Sequence, residues 1–190
     1  MNKKQENLYN KLIEKYNFSS AQLNQIKMGL IFDLDVTIYA NPKFSFKQME
    51  QIRLGLRADL DVSIYANLEF SPNRMGLIRE GLEKGIDVNI YAKPYFNYWQ
   101  MEQIKLGLEN NVDVSLYANN EFNCFQMEQI RLGLKEGLDV TWYARPEFED
   151  EQMLEIRLGL LHKINIETYL NPTINYEEME RIRLELEKEK

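Results

Sequence analysis

Hydrophobic and polar positions recur along the chain with a period of 26 residues and no gaps. Repeats begin at residues 18, 44, 70, 96, 122, 148 and 174, and the last one lacks its second half. Numbering each repeat from position 1 to position 26, position 9 is isoleucine in all seven repeats, and position 22 is tyrosine in all six complete ones. A fixed period of roughly 20 to 50 residues is typical of repeat architectures.

The first half of each repeat predicts an α-helix of about three turns. Apolar residues at positions 6, 9 and 13 form one stripe, as Met49, Ile52 and Leu56 do in the second repeat. Position 2 is mostly Ser or Asn, and position 5 is Gln or Glu in every repeat except one, which has Arg74. This is the capping-box pattern of a helix start. Position 16 is Gly, Asn or Asp in five of the six complete repeats, types that favour the left-handed backbone ending a helix.

The second half of each repeat predicts a short helix of one to two turns and an extended connector. Position 18 is Asp in five repeats and Asn165 in the sixth, and both types are good N-caps. We prefer this role to a calcium site, because one carboxylate per repeat does not converge on a cation. Position 21 is Ile or Leu in four repeats and Trp142 in the fifth, and we expect Trp142 in the core. Prolines then end the short helix in four repeats.

Helix pairs of this size cannot bury their apolar faces alone, so successive pairs must stack. We therefore predict an all-α protein, an α-solenoid of seven 26-residue helix–turn–short-helix repeats with terminal caps. Residues 1–17 are an amphipathic segment predicted to form an N-terminal capping helix, and residues 18–190 are the repeat array.

The signature QMEQIRLGL…GLDVSxYA resembles that of short helical repeats in poorly characterised bacterial and mobile-element proteins. The resemblance covers residues 18–186, which is nearly the whole chain. It implies the repeat fold and brings no activity with it.

Composition narrows the classes of function. The 190 residues include 30 Asp and Glu against 23 Lys and Arg, a formal net charge of −7, which argues against nonspecific binding to DNA or to anionic membranes. Cys124 and His162 are the single Cys and His, so metal-binding cysteine pairs are excluded and most nucleophile–base pairs with them. We find no signal peptide and no membrane-spanning stretch. We expect a cytoplasmic protein that is not an enzyme and has no cofactor and no metal site.

Two ladders of side chains suggest a nucleic-acid hypothesis, in which each repeat stacks one base. One ladder is the tyrosine of position 22. The other is the basic residue of position 10, which includes Arg53, Arg79, Lys105, Arg131 and Arg157. We prefer a structural role in which the stem is buried and the head lies on a neighbouring carboxylate, since Glu is present three residues earlier in four repeats. Nucleic acid is therefore not the expected partner.

Position 12 is glycine in six of the seven repeats and lies within the long helix, where glycine costs about 1 kcal/mol relative to Ala. Because the cost recurs in six repeats, we predict that the short helix or the next repeat approaches closely there.

Aromatic residues that differ between repeats indicate a binding surface. Positions 3 and 4 carry Tyr98, Trp99 and Phe125, whereas other repeats have residues such as Ser, Pro, Lys or Asn there. Exposed aromatic clusters mark interaction sites. The candidate protein-binding residues are Phe46, Tyr98, Trp99, Phe125, Leu106 and Leu132. In the alternative, Trp99 and Phe125 fold back on the preceding connector as hydrophobic staples, and the leucines are buried between repeats.

Three functions follow from these observations. The first is a non-enzymatic protein–protein interaction scaffold of the bacterial cytoplasm, whose partner is an unidentified protein or a second copy of the chain. The second is a mobile-element-encoded inhibitor of a host defence complex, which acts as an acidic decoy or blocker. The third is an RNA- or single-stranded-DNA-binding repeat protein that uses the basic and tyrosine ladders.

Overall fold

The structure is a computed structural model that describes residues 1–189, and all regular structure in that range is helical. The eight α-helices are α1 (Lys3–Lys15), α2 (Ser20–Ile31), α3 (Phe46–Arg57), α4 (Pro72–Glu83), α5 (Tyr98–Glu109), α6 (Cys124–Lys135), α7 (Asp150–Leu161) and α8 (Tyr176–Lys188). The six short 3₁₀ helices are η1 (Val36–Ile38), η2 (Val62–Ile64), η3 (Val88–Ile90), η4 (Val114–Leu116), η5 (Val140–Trp142) and η6 (Ile166–Thr168).

The fold is the predicted all-α solenoid of repeats, built from successive long helices. The chain forms two compact units, Met1–Tyr98 and the part from Trp99 onward. In the first unit, α1 packs on α2, α2 on α3 and α3 on α4. In the second, α6 packs on α7 and α7 on α8. The N-terminal segment is the predicted helix, although none of its side chains is fully buried.

The long helices begin at the predicted capping boxes. In the second repeat, Ser45 accepts a hydrogen bond from the Gln48 N–H at 3.2 Å, and Gln48 Oε1 accepts one from the Ser45 N–H at 2.8 Å. The Gln48 amide also donates to the carbonyl of Phe70, the first residue of the next repeat, at 2.9 Å. Arg74 replaces the glutamine in the third repeat and donates to the matching carbonyl of Phe96 at 2.9 Å. Position 5 therefore both caps its helix and joins neighbouring repeats.

In the six complete repeats the long helix ends at position 14, and position 16, two residues later, has a positive φ. In the first repeat, the Leu34 N–H donates to the Gly29 carbonyl at 2.9 Å, and the Asp33 N–H donates to the Leu30 carbonyl at 3.0 Å. These two bonds define a Schellman ending, as the sequence predicts. Lys163 takes the same left-handed conformation, with a φ of 56°.

The second helix of each repeat is a single 3₁₀ turn of three residues, at the short end of the predicted one to two turns. The predicted N-cap is present, since Asp61 accepts a hydrogen bond from the Ser63 N–H at 3.0 Å. A single turn directs only two side chains inward, at positions 19 and 22. Position 21 faces outward, so the expectation that Trp142 lies in the core is wrong: its side chain is 40% exposed.

The tyrosine of position 22 is the largest repeated element of the core and is fully buried in all six complete repeats. In the fourth repeat, the Tyr117 hydroxyl donates to the Gln103 carbonyl at 3.2 Å. A Cβ added to Gly107 would overlap that hydroxyl and would lie 2.7 Å from Val114 Cγ1. The predicted reason for the helix glycine is confirmed, and the approaching group is the tyrosine of the same repeat.

Candidate protein-binding groove

The basic residues of position 10 lie largely inside the fold. Arg53 is 3% exposed and Arg131 is 8% exposed. The Nε atom of each arginine donates to the side chain at position 8 of the preceding repeat. These pairs are Arg53–Gln25 at 2.8 Å, Arg79–Gln51 at 3.1 Å, Arg131–Gln103 at 2.8 Å, Arg157–Gln129 at 3.0 Å and Arg183–Glu155 at 2.7 Å. The Nε acceptor thus belongs to another repeat and is a partner that the sequence did not predict. The expected pairing with the Glu three residues earlier is present at Arg131, whose Nη2 lies 3.7 Å from Glu128 Oε1.

The type of basic residue follows the residue at position 8 of the preceding repeat. Position 10 is Lys in two repeats and Arg in five. Lys27 has no repeat before it, and Lys105 follows a repeat whose position 8 is Leu77, which has no side-chain acceptor. Arginine is thus present wherever the preceding repeat supplies an acceptor for its Nε. This correlation indicates that the basic residues of position 10 connect consecutive repeats.

Carboxylates complete the pairing of most of these cations. Lys105 Nζ lies 3.0 Å from Glu109, and Arg157 Nη1 lies 2.7 Å from Glu136. Arg53 is different, because position 14 of its repeat is Arg57, whose guanidinium lies 4.4 Å from the centre of the Phe32 ring. Arg53 Nη1 is buried and has no hydrogen-bond partner among the described residues.

This burial removes the support for the nucleic-acid hypothesis. The tyrosines have no exposed ring face on which a base could stack. The arginine Nε atoms are already engaged by the neighbouring repeat, as in the Arg131–Gln103 pair. As folded, neither ladder offers a nucleic acid a continuous surface.

Trp99 and Phe125 line one groove between α5 and α6, which we call the α5–α6 groove. Its volume is about 500 Å³, and its lining residues are Trp99, Glu102, Gln103, Cys124, Phe125 and Glu128. Trp99 is 59% exposed and Phe125 is 60% exposed, which speaks against the hydrophobic-staple alternative. Both are at position 4 of their repeats, and the two glutamates are at position 7. Residues three apart share a helix face, which explains why aromatic and acidic side chains alternate along this groove.

The other candidate residues lie elsewhere. Leu106 and Leu132 are half-buried and lie further along α5 and α6, outside the groove lining. Tyr98 is half-buried and belongs to the first unit. Phe46 is also in the first unit, on α3, and is 42% exposed. The structure thus brings together Trp99 and Phe125 from the predicted set.

The groove has an acidic rim. Glu102 and Glu128 supply its two carboxylates, and no Lys or Arg is among the lining residues. Burial raises the pKa of the Cys124 thiol. A raised pKa keeps the thiol protonated and makes it a poor nucleophile. The thiol of Cys124 is therefore not activated as a nucleophile.

The glutamates of the groove are functional candidates that the sequence interpretation missed. An aromatic residue at position 4 followed by Glu at position 7 occurs in the fourth and fifth repeats and in none of the other five. The signal was therefore present in the sequence, in the two repeats that build the groove. It could be recognised only by comparing two variable positions at once.

His162 takes part in an ion network at the C-terminal end. Its Nδ1 lies 2.7 Å from Glu187 Oε1, which also accepts a hydrogen bond from Arg183 Nη1 at 2.7 Å. Glu155, which is buried, accepts a hydrogen bond from the same arginine, so the network extends from His162 into the interior of the fold. Residues 1–189 contain no group of three or more His, Cys, Asp or Glu side chains that could hold a metal ion. In the same range, no helix has the length and apolar character needed to cross a membrane.

Comparisons of the chain with protein-family models, with curated proteins and with solved structures find no match. The resemblance to bacterial and mobile-element repeats stays a prediction. The function is therefore inferred from the geometry of the α5–α6 groove.

Proposed function

We propose that this chain is a non-enzymatic protein-binding scaffold and that its partner docks at the α5–α6 groove. One observation carries the proposal: Trp99 and Phe125, both about 60% exposed, lie in adjacent repeats and line the same groove. Large exposed aromatic side chains that cluster are typical of interaction sites, and Trp is among the commonest anchors of binding energy.

The fold does not require these aromatics. The equivalent residues at position 4 are Lys47 in α3, Asn73 in α4 and Glu151 in α7. Each of these helices is 12 residues long, as α5 and α6 are. Helix formation and capping therefore proceed with polar residues at this position. A role outside the fold accounts for the aromatic side chains at the groove.

Charge favours one of the other functions as a second candidate. Residues 99–190 contain 19 Asp and Glu against 10 Lys and Arg, which gives a net charge of −9. Residues 1–98 contain 11 Asp and Glu against 13 Lys and Arg, which gives a net charge of +2. An acidic second unit suits an inhibitor that occupies a basic surface of its target. A mobile-element-encoded acidic decoy or blocker of a host defence complex remains compatible with the same groove.

Affinity capture from the native host with paired bait proteins tests the proposal. The first bait carries Trp99→Ala with Phe125→Ala. The matched control carries Tyr95→Ala with Tyr176→Ala, which removes two exposed aromatics outside the groove. We expect mass spectrometry to show a partner on the wild-type and control baits that is lost from the groove variant. Sedimentation velocity on the same proteins detects a partner that is a second copy.

The outcome depends on the fold of the groove variant as well. We expect its thermal midpoint to stay within about 3 °C of the wild type, because 1 kcal/mol shifts the midpoint of a domain of this size by about 2 to 4 °C. A groove variant that keeps every partner, or one that melts far below the wild type, would contradict the proposal.

A further inference from the structure

We infer that the α5–α6 groove binds a cationic side chain, lysine or arginine, presented by a basic segment of a partner protein. This inference depends on the proposed function, because it names the chemistry of the ligand at the same groove. The groove combines the two features that an organic cation requires, which are aromatic faces and nearby carboxylates.

The aromatic walls provide the first feature. The faces of Trp and Phe rings carry negative charge density, and Trp binds a cation over its face more strongly than Phe or Tyr does. Trp99 lines the groove from α5, and Phe125 lines it from α6. A guanidinium or ammonium group with an alkyl stem can enter between them while its stem contacts the rings.

The carboxylates provide the second feature. Glu102 and Glu128 both line the groove, and the Glu128 side chain is 40% exposed. Arg131 pairs with Glu128 through its Nη2, 3.7 Å from Glu128 Oε1, while its Nε donates to Gln103 at 2.8 Å. At 3.7 Å the ion pair is not a hydrogen bond, so the Glu128 oxygens can still accept one from a ligand. Charge-assisted hydrogen bonds from an incoming Lys or Arg to these carboxylates would be stronger than neutral ones. A ligand with an uncharged apolar side chain would use the rings and leave the carboxylates unused.

The charge of the surrounding unit favours the same occupant. Residues 99–190 carry a net charge of −9 and contain the whole groove. A field of this sign attracts a basic segment over a distance and raises its rate of association. The groove and the unit around it therefore favour the same class of ligand.

Fluorescence titration of Trp99 tests the inference directly. The chain has two tryptophans, so Trp142→Phe leaves Trp99 as the single reporter. The probes are an acetylated, amidated tetra-arginine peptide and the same peptide with citrulline in place of arginine, which keeps the shape and removes the charge. We expect the arginine peptide to bind at least about tenfold more tightly, with an affinity that falls as salt rises.

A pair of charge variants localises the site. Glu102→Gln with Glu128→Gln removes two charges from the groove. Glu177→Gln with Glu180→Gln removes two charges from positions 4 and 7 of the last repeat, in the same unit but outside the groove. We expect the groove pair to weaken the arginine peptide by about tenfold and the control pair by less than about twofold. Circular dichroism shows that both remain folded.

Two results would overturn the inference: equal binding of the arginine and citrulline peptides, or equal losses in the two glutamine pairs, which would show attraction by net charge alone. Either result leaves the proposed function to its own test. If the host partner is lost with Trp99→Ala and Phe125→Ala but retained with Glu102→Gln and Glu128→Gln, the groove binds protein and the cationic ligand is wrong. If both variants retain the partner, the proposed function itself fails.

Discussion

A single methyl group at the centre of a repeat should test how the core is built. Gly107→Ala places a Cβ against the Tyr117 hydroxyl, 3.2 Å from Tyr117 Cζ and 2.7 Å from Val114 Cγ1. In an exposed helix this substitution would stabilise the protein by about 1 kcal/mol. Overpacking a tight core costs about 1 to 3 kcal/mol. Losing the hydrogen bond from Tyr117 to the Gln103 carbonyl costs about 1 kcal/mol more.

The net expectation for Gly107→Ala is a loss of about 1 to 3 kcal/mol of unfolding free energy. Urea denaturation followed by circular dichroism measures it. A matched control exists in Gly76, which also lies within a long helix, but whose added Cβ would meet only the Gln51 side chain, 3.3 Å from the oxygen that accepts from Arg79 Nε. Gly76→Ala should change the unfolding free energy by less than about 1 kcal/mol, because the gain in helix propensity is offset by a small shift of Gln51.

A double-mutant cycle identifies the tyrosine as the cause. Tyr117→Phe alone should cost about 1 kcal/mol, since it removes one hydrogen bond from a carbonyl within a helix. Combined with Gly107→Ala, it removes the overlapping oxygen, so the double variant should be more stable than the sum of the single changes by about 1 kcal/mol or more. Stabilisation by Gly107→Ala, or strict additivity in the cycle, would refute the interlocking of position 12 with position 22.

Three further predictions concern charge, ionisation and the repeat itself. Arg57→Glu should stabilise the protein by about 1 to 2 kcal/mol in urea denaturation, because it gives buried Arg53 a carboxylate partner, as Glu109 does for Lys105. Arg57→Gln should give a smaller stabilisation, because it only removes the repulsion between the two arginines. Burial raises the pKa of Tyr169 to about 12 and also raises the pKa of Tyr39, Tyr65, Tyr117 and Tyr143. The stability present below the unfolded tyrosine pKa of about 10 should therefore fall as pH rises from 10 towards 12. The absorbance of the buried tyrosines as tyrosinate should rise together with the loss of helix. Ionisation of all eleven tyrosines near pH 10 with the helices intact would contradict this. Deletion of residues 122–147 removes one whole period and joins Glu121 to Phe148, so the shortened chain should still unfold cooperatively as a helical protein, and complete loss of helical circular dichroism would count against nearest-neighbour stacking.

The local structure of each repeat could be predicted because its signals lie within one repeat. Capping boxes and the left-handed residue at position 16 depend on neighbours a few residues away, and the glycine at position 12 meets the tyrosine ten residues later. The fold class followed from the same pattern, since the apolar stripe of each helix needs a neighbour.

The joints between repeats could not be predicted in the same way. Arg53 and Gln25 are 28 residues apart, and a fixed period shows that repeats stack without showing which positions meet. Local rules point to a carboxylate on the same helix, and they do not show the hydrogen bond that the guanidinium donates to the preceding repeat. Trp142 was misplaced for a related reason, because the length of the second helix decides which of its side chains face inward.

The binding surface could be predicted only in part. Trp99 and Phe125 stood out because they vary at a position that the framework leaves free. Glu102 and Glu128 look like ordinary surface residues of a helix until the groove brings them beside the rings. Their significance comes from the groove between α5 and α6, which the repeat pattern does not specify.

Photo-crosslinking from inside the groove tests the central claim most directly. Benzoylphenylalanine replaces Phe125 in one protein and Glu151 in another, two exposed residues at position 4 of adjacent repeats. After irradiation in the native host, we expect a protein adduct from position 125 that is much weaker from position 151 and is displaced by an excess of the tetra-arginine peptide. Adducts of equal yield from the two positions, or an adduct from position 151 alone, would contradict the assignment of the α5–α6 groove as the binding site.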